Sequence, residues 1–213
     1  MLLEFEDLQK KFNFDISGVI HIGAGSGAEL KTYIKHNIQN IIMIEADKKS
    51  FFKLSIRKIM YDPMFRKNIS LINRIISDKN EIMNFNLTNV SDCNSILRLK
   101  KHQDYYPHIK KIKQTKIQSQ TLNKLFKYKY DIKKYNFINI DIQGAELLAL
   151  KKAWEILPFI DGIYTEINFE ELYENCAMSG ELDSYLMKFN FKRVYTNTDL
   201  HKSWGDALYI KSK

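Results

Sequence analysis

The sequence predicts an α/β fold, in which a mostly parallel seven-stranded sheet carries helices on both faces and ends in a C-terminal antiparallel hairpin. Apolar runs rich in β-branched residues alternate along the chain with segments of helical periodicity. A glycine-rich turn joins the first of these runs to the segment that follows it. The last two apolar runs are separated by a connection too short for a parallel crossover, which indicates an antiparallel pair.

The chain has 213 residues, a length that suits a single domain, and we expect one domain over residues 1–213. No uncharged apolar run reaches membrane-spanning length, and the acidic first residues lack the apolar core of a signal peptide, so we expect a cytoplasmic protein without a membrane partner. Cys93 and Cys176 have no metal-ligand spacing, and we predict no metal site.

The formal charge is +8, and eleven lysines lie between residues 100 and 134 with tyrosines among them. Such a stretch suits an anionic acceptor or a nucleic acid. The alternative is a solvated face, which the scarcity of arginine favours, because arginine is the commoner specific reader of phosphate.

The elements of the first half follow from periodicity and capping residues. Asp47 is the predicted N-cap of the second crossover helix. The predicted elements, in order, are a leading helix within residues 1–15, strand 19–22, helix 29–36, strand 40–45, helix 48–60, strand 68–76 and an extra strand 81–87.

Residues 88–118 form the least regular part of the chain, apart from a short strand predicted at 113–118. A long irregular segment in a compact domain is usually functional, so we predict a substrate lid there, with the donor site built from other strands. The elements predicted after it are helix 121–126, strand 137–142, helix 144–157, strand 160–167, helix 182–189 and strands 191–197 and 207–210.

Gly23-Ala24-Gly25-Ser26-Gly27 follows the first strand and precedes a helix start. Glycines let the backbone bend sharply and approach a ligand, and the N–H groups of a helix start point into such a turn. Glu45 ends the second strand, 18 residues after Gly27, where a carboxylate accepts hydrogen bonds from ribose hydroxyls. The arrangement predicts a nucleotide site and fits both a dinucleotide and other adenosine cofactors.

The segment Asp141-Ile142-Gln143-Gly144-Ala145-Glu146 closes the fourth main strand. Here the chain resembles the FkbM-type methyltransferase family, in which a strand ends in Asp-x-x-Gly-x-Glu. The resemblance extends over most of the chain, including residues 21–27, 44–46, 164–167 and 204–209. It implies a Rossmann-like methyltransferase fold, S-adenosyl-L-methionine as cofactor, and O-methylation of a hydroxyl on a small molecule or glycan, including an anionic one.

The resemblance and the strand ends together give a set of predicted site residues. Ser77 and Asp78 follow the third strand and are placed to flank an adenine, and Asp141 is placed to bind the cofactor's ammonium or to take the acceptor's proton. His21 stands where many methyltransferases carry an acid, so it either contacts the cofactor or packs in the core. The predicted catalytic residues are Asp141, Glu166 and His201, and the predicted cofactor-binding residues are His21, Gly23, Ala24, Gly25, Gly27, Glu45, Ala46, Ser77, Asp78, Asp141 and Gln143.

Alternative functions remain at this point. An NAD-type oxidoreductase would use the same glycine loop, although the C-terminal hairpin argues against it. An RNA (cap-type) methyltransferase would use the lysine-rich segment. A divalent ion assisting the acceptor is also compatible with a convergence of Asp141, Glu166 and Asp206.

Overall fold

The computed structural model describes Lys10, Phe12, residues 15–62 and residues 67–212. Most of the predicted leading helix therefore lies outside the described residues. The strands are β1 Gly18–Ile22, β2 Asn40–Ile44, β3 Asn68–Ile72, β4 Ile75–Ile76, β5 Ile82–Thr88, β6 Lys111–Gln120, β7 Phe137–Ile140, β8 Gly162–Asn168, β9 Phe191–Asn197 and β10 Trp204–Lys211. The α-helices are α1 Leu30–Lys35, α2 Lys48–Tyr61, α3 His102–Tyr105, α4 Leu122–Lys129, α5 Glu146–Lys151 and α6 Ser179–Met187.

The main sheet has seven strands in the order β3-β2-β1-β7-β8-β10-β9. The strands from β3 to β8 pair in parallel, whereas β10 runs antiparallel to both of its neighbours, β8 and β9. The predicted sheet with its closing hairpin is thus confirmed, and the last strand inserts between the two before it. The strand order reverses direction between β1 and β7, so the crevice at their carboxyl ends is the place where such sheets bind ligands.

Alternate residues of the central strands divide between two apolar cores, one on each face of the sheet. Ile20 and Ile22 of β1 lie in one core, with side chains of α4, α5 and α6. Val19 lies in the other, with side chains of α1 and α2. All five residues of β1 are buried, which explains why its sequence reads as a continuous apolar run.

Capping residues fix the helices that lead away from this crevice. The Asp47 carboxylate accepts a hydrogen bond from Ser50 N at 2.9 Å, which confirms its prediction as the N-cap of α2. Thr121 caps α4 in the same way, through Lys124 N at 3.2 Å. These caps satisfy N–H groups that the first turn of a helix leaves unpaired.

A second, three-stranded sheet of order β4-β6-β5 corrects the description of residues 88–118 as irregular. Strand β6 spans ten residues, and it pairs antiparallel with β5. Most of its residues are exposed, so no apolar alternation marks it in the sequence. The predicted third strand also splits, because Ile75 and Ile76 leave the main sheet to pair with the end of β6.

Candidate active site

The glycine loop follows β1 at the crevice. Gly23 and Gly25 have φ angles of 81° and 52°, in the left-handed region that favours glycine. A Cβ on Gly23 would lie 1.7 Å from the carbonyl oxygen of Asp141, whereas a Cβ on Gly25 would meet nothing within 4 Å. Gly23 therefore allows two backbones to pack together, and Gly25 borders open space.

Glu45 joins the end of β2 to this loop. Its carboxylate accepts hydrogen bonds from Gly25 N at 2.8 Å and from Asp47 N at 2.6 Å. Burial raises the pKa of Glu45 to about 7, although both N–H donors favour its charged form. The side chain is therefore fixed in the crevice, and each oxygen retains a lone pair for a ligand hydroxyl.

A first cavity of about 250 Å³ lies between the glycine loop, the end of β2 and the small sheet. Gly23, Ala24, Gly25, Glu45 and Ala46 form its polar side. Its apolar side is built by Ile75, Ile76, Phe85 and Ile96, with Arg74 beside them. An apolar slot next to a carboxylate and exposed backbone fits a nucleoside, with the base against the apolar wall.

The turn after β7 has an unusual backbone. Gln143 and Gly144 have φ angles of 57° and 90°. The buried Glu146 carboxylate accepts hydrogen bonds from Ile142 N at 2.9 Å and Gly144 N at 3.2 Å, and burial raises its pKa to about 7. Glu146 thus holds the turn closed from beneath. The turn also delays the helix, so α5 begins at Glu146 rather than at the predicted residue 144.

Gln143 connects the two predicted catalytic carboxylates. Its Nε2 donates to Asp141 Oδ1 at 2.8 Å and to Glu166 Oε2 at 3.2 Å, while its Oε1 accepts from the Tyr173 hydroxyl at 2.6 Å. These three hydrogen bonds fix the Gln143 amide, and the amide in turn holds Asp141 and Glu166 at a fixed separation.

A second cavity of about 370 Å³ shares Asp92, Asp141 and Gln143 with the first. Four of its lining residues are acidic and, within the described part of the chain, none is lysine or arginine. The residues that line it are Asp92, Cys93, His102, Tyr106, Ile109, Asp141, Gln143, Glu166, Leu172, Tyr173, Leu200, Trp204 and Asp206. The protein is strongly basic as a whole, so this acidic, aromatic wall is a local feature.

Two carboxylates of the second cavity, Asp141 and Glu166, have raised pKa values. Asp141 is open to the cavity, yet the protein atoms around it partly desolvate it, and with Asp206 nearby its pKa rises to about 6. Glu166 is buried, and burial together with Asp141 and Glu146 raises its pKa well above the ordinary value. Asp206 lies opposite Glu166 in the register of β8 and β10 and accepts a hydrogen bond from the Tyr164 hydroxyl. A carboxylate with a raised pKa is a stronger base near neutral pH.

Five of the predicted site residues lie outside both cavity walls, and their contacts explain why. Ser77 is fully buried, and its backbone N–H bonds Gln120 O as the chain passes into the small sheet; Asp78 accepts from the Ser77 hydroxyl. A Cβ on Gly27 would lie 2.5 Å from Leu54 Cδ1, so that glycine allows α2 to pack closely.

The two predicted histidines are also absent from the cavity walls. His21 is buried, its Nδ1 lies 3.2 Å from the Tyr33 hydroxyl, and burial lowers its pKa to about 4. The ring of His201 packs 4.4 Å from that of Tyr105. His21 is therefore a hydrogen-bonded core residue, and His201 lies beside the second cavity.

Sequence reasoning missed residues that come from the segment predicted to be a lid. Asp92 lines both cavities, Asn94 and Ile96 line the first, and His102 and Tyr106 line the second. The first cavity is therefore lined by this segment as well as by the main strands. The irregular sequence predicted a lid here, but not which of its residues reach the cavity walls.

The described residues contain no group of three or more His, Cys, Asp or Glu side chains arranged to hold a metal ion. In the same part of the chain, no helix is long and apolar enough to span a bilayer.

The strand order with a reversed β10, together with two joined cavities at the strand ends, defines the class as a Rossmann-like methyltransferase. The model of the methyltransferase FkbM domain matches residues 21–193. The chain belongs to this family, and S-adenosylmethionine is its methyl donor. Family membership overturns the oxidoreductase alternative. No curated protein matches the chain.

Solved structures share the fold at low sequence identity. A Streptococcus pneumoniae protein, provisionally assigned as a tRNA methyltransferase, superposes with a TM-score of 0.55 at 10% identity, over 100% of this chain and 72% of that one. Its complex with S-adenosyl-L-methionine gives 0.52 at 11% identity, over 100% and 75%. The magnesium protoporphyrin IX methyltransferase of Synechocystis gives 0.50 at 7% identity, over 91% and 69%.

The residues of the first cavity fit this donor. The open space beside Gly25 accommodates a ligand against the backbone, and Glu45 offers carboxylate oxygens to a ribose. Ile75, Ile76 and Phe85 provide an apolar surface for an adenine ring. Asp141 lines both cavities, so its carboxylate would be available to the positively charged part of the donor.

Proposed function

We propose that this chain is an O-methyltransferase that acts on a hydroxyl group of a small molecule or glycan. The observation that carries the proposal is the acidic second cavity, which meets the donor cavity at Asp141 and Gln143. Carboxylates accept hydrogen bonds from hydroxyls, and the aromatic side chains of Tyr106, Tyr173 and Trp204 offer apolar faces to a sugar or another ring.

When bound, S-adenosylmethionine supplies an electrophilic methyl group on a sulfonium sulfur. The protein then has mainly to align donor and acceptor, since orientation accounts for much of the rate enhancement in such displacements. In our proposal, Gly23, Ala24, Gly25, Glu45 and Ala46 hold the donor, and Asp141 and Gln143 fix the position where the two cavities meet.

Glu166 is the proposed general base. It lines only the acceptor cavity, it is buried, and its raised pKa suits proton abstraction near neutral pH. S-adenosylmethionine, when bound, would supply the methyl group and leave as S-adenosylhomocysteine, and the Glu166 carboxylate would accept the proton of the acceptor hydroxyl. Gln143 keeps Glu166 and Asp141 in register during this step.

The charge of the second cavity argues against a phosphate-bearing acceptor. Lys111, Lys113 and Lys116 are exposed on strand β6, and none of them lines the cavity. A phosphate close to Asp141, Glu166 and Asp206 would be repelled by their charges. The RNA alternative is therefore less well supported, and the structural neighbours that act on RNA share only the fold.

The test is transfer of an isotope-labelled methyl group to a panel of uncharged glycosides, hexosamines, sugar phosphates and a short RNA. We expect an O-methyl ether on an uncharged or cationic acceptor. Glu166→Gln should lower kcat by about 10²–10⁴-fold, the usual contribution of a general base, and should remove the rise of kcat/KM with pH.

The matched control is Glu155→Gln, a change at an exposed glutamate outside both cavities. The dissociation constant of S-adenosylhomocysteine, measured by calorimetry, should agree within about threefold among the wild type and both variants. This is well below the tenfold change that corresponds to about 1.4 kcal/mol. Full activity of Glu166→Gln would eliminate Glu166 as the base. Methylation of RNA or sugar phosphates alone would overturn the proposed acceptor class.

A further inference from the structure

We infer that His102 is an acceptor-binding residue, which hydrogen-bonds a second hydroxyl of a polyhydroxylated acceptor without negative charge. The inference rests on the proposed function and adds a binding residue and a substrate class to it. His102 begins α3, in the segment predicted to be a substrate lid.

The His102 ring belongs to the wall of the second cavity and is only 6% exposed. Its centroid lies 5.0 Å from that of Tyr106 and 5.4 Å from that of Tyr173. Nδ1 is buried without a hydrogen-bond partner, and no described residue bonds the other ring nitrogen. Nδ1 has almost no accessible surface, so Nε2, which also lacks a partner in the described part of the chain, is the ring nitrogen left for a molecule in the cavity.

An unsatisfied buried polar group is rare in native proteins and calls for an explanation. The other buried histidine of the chain, His21, has its Nδ1 in contact with the Tyr33 hydroxyl, which in turn accepts from Asn139 Nδ2 at 2.8 Å. The contrast separates a core histidine, which is hydrogen-bonded inside the protein, from one that lines a cavity and has no partner among the described residues.

Hydrogen bonds fix the backbone around His102, and the position of its ring is fixed with it. His102 N donates to Leu172 O at 3.2 Å. Glu170 binds three neighbouring groups: Lys101 Nζ at 2.8 Å, the Tyr105 hydroxyl at 3.0 Å and the Ser203 hydroxyl at 2.9 Å. Segments distant in sequence are thereby tied together around the cavity, and the ring is positioned before the acceptor arrives.

The chemistry of the site selects a hydroxyl. Burial and the neighbouring His108 lower the pKa of His102, so its imidazole is neutral at pH 7. A neutral imidazole accepts at one nitrogen and donates at the other, which complements an alcohol. Glu166 would take the hydroxyl that is methylated, and His102 would hold another on the same molecule. The surrounding carboxylates disfavour a phosphate or a carboxylate in this position.

The experiment compares His102→Phe, which keeps the aromatic packing, with His102→Gln, which restores an amide donor and acceptor. His108→Phe is the matched control, because His108 is exposed and outside both cavities. With uncharged methyl glycosides as acceptors, we expect His102→Phe to raise KM at least about tenfold with a smaller change in kcat. His102→Gln and His108→Phe should stay within about threefold of wild type, and so should binding of S-adenosylhomocysteine in every variant.

The outcomes separate the inference from the function on which it rests. Equal KM values for wild type and His102→Phe would overturn the role of His102 and leave the proposed function intact. Equal losses in His102→Phe and His102→Gln would also overturn it, because they would indicate packing of the ring. Methylation of anionic acceptors only, or of no member of the panel, would overturn the acceptor class and the inference together.

A spectroscopic measurement covers the case in which His102→Phe does not fold. The imidazole nitrogen signals of His102 in the wild-type protein, saturated with S-adenosylhomocysteine, should shift when methyl glycoside is added. Unchanged signals at a glycoside concentration that saturates transfer would contradict the inference.

Discussion

The two cavities that meet at Asp141 are built in different ways. The first cavity, proposed to hold the donor, is lined by the glycine loop and Glu45 at the ends of β1 and β2 and by apolar residues of the small sheet. The second cavity, proposed to hold the acceptor, is lined by residues of four separate stretches, 92–109, 141–143, 166–173 and 200–206. In the proposed function, recognition of the donor depends partly on the backbone conformation of the glycine loop, and recognition of the acceptor depends on residues that are distant in sequence.

The cavities also differ in how they hold negative charge. Glu45 is bonded to two backbone N–H groups, which stabilise its charged form. Glu166 and Asp141 share the donors of one amide, Gln143, and the charge of Asp141 helps to raise the pKa of Glu166. The acceptor cavity thus keeps like charges close together in the native state. Their repulsion makes Glu166 a stronger base and lowers the free energy of unfolding.

The largest expected effect tests the backbone construction of the donor cavity. Gly23→Ala places a Cβ 1.7 Å from the Asp141 carbonyl oxygen at a left-handed φ, so the loop and the turn must separate. We expect the free energy of unfolding to fall by at least about 3 kcal/mol, measured by urea denaturation. S-adenosylhomocysteine affinity should fall at least about 100-fold in calorimetry.

Gly180→Ala is the matched control for this change. A Cβ at this exposed helical glycine meets nothing within 4 Å, so stability should rise by about 0.5–1 kcal/mol. A folded Gly23→Ala protein with normal donor affinity would show that close backbone packing does not define the site.

A smaller effect is expected where the donor cavity uses a side chain. Glu45→Ala removes the carboxylate that bonds Gly25 N and faces the cavity. A charge-assisted hydrogen bond contributes about 1.5–3 kcal/mol, so S-adenosylhomocysteine affinity should fall by about 10- to 150-fold. Asp78→Ala, a carboxylate outside the cavity, should change this affinity less than about twofold. Equal effects of the two variants would remove Glu45 from the donor site.

The smallest effect concerns the carboxylates whose pKa values are raised. Burial raises the pKa values of Glu45 and Glu146 from 4.5 to about 7 and raises that of Glu166 as well, while partial desolvation and the nearby Asp206 raise the pKa of Asp141 from 3.8 to about 6. Between about pH 4 and pH 7 the native protein then binds more protons than the unfolded chain, so these groups make stability fall as pH rises.

Glu166→Gln should reduce the loss of stability that accompanies rising pH. At pH 8 the variant should melt roughly 2–4 °C above wild type, and at pH 4 the two should agree. Thermal unfolding from pH 4 to pH 8 is the measurement, with Glu155→Gln as control. A variant less stable than wild type at pH 8 would mean that Glu166 carries no electrostatic strain.

Local patterns predicted the parts of the fold whose residues interact with near neighbours in sequence. Asp47 was predicted as an N-cap because capping spans three residues, and the fully buried β1 was predicted from its apolar run. Helix α5 was predicted to begin two residues early, because the turn at Gln143 and Gly144 depends on Glu146 folding back beneath it, and it ends at Lys151 rather than at the predicted residue 157. The strand predicted at 113–118 lies within β6, and only the two residues at each end of β6 were missed, since an exposed strand of a small sheet carries no apolar alternation.

The sequence alone determined the fold class, the family and the glycine loop with Glu45, because strand, turn, helix start and acid interact over short stretches of one sheet edge. Only the tertiary structure decided which side chains line the second cavity. His102, Tyr173 and Asp206 are brought together by contacts across about a hundred residues of chain, and no local pattern records them. Ser77 and His201 lie outside the cavity walls, because Ser77 pairs with β6 and the ring of His201 packs edge-on against Tyr105.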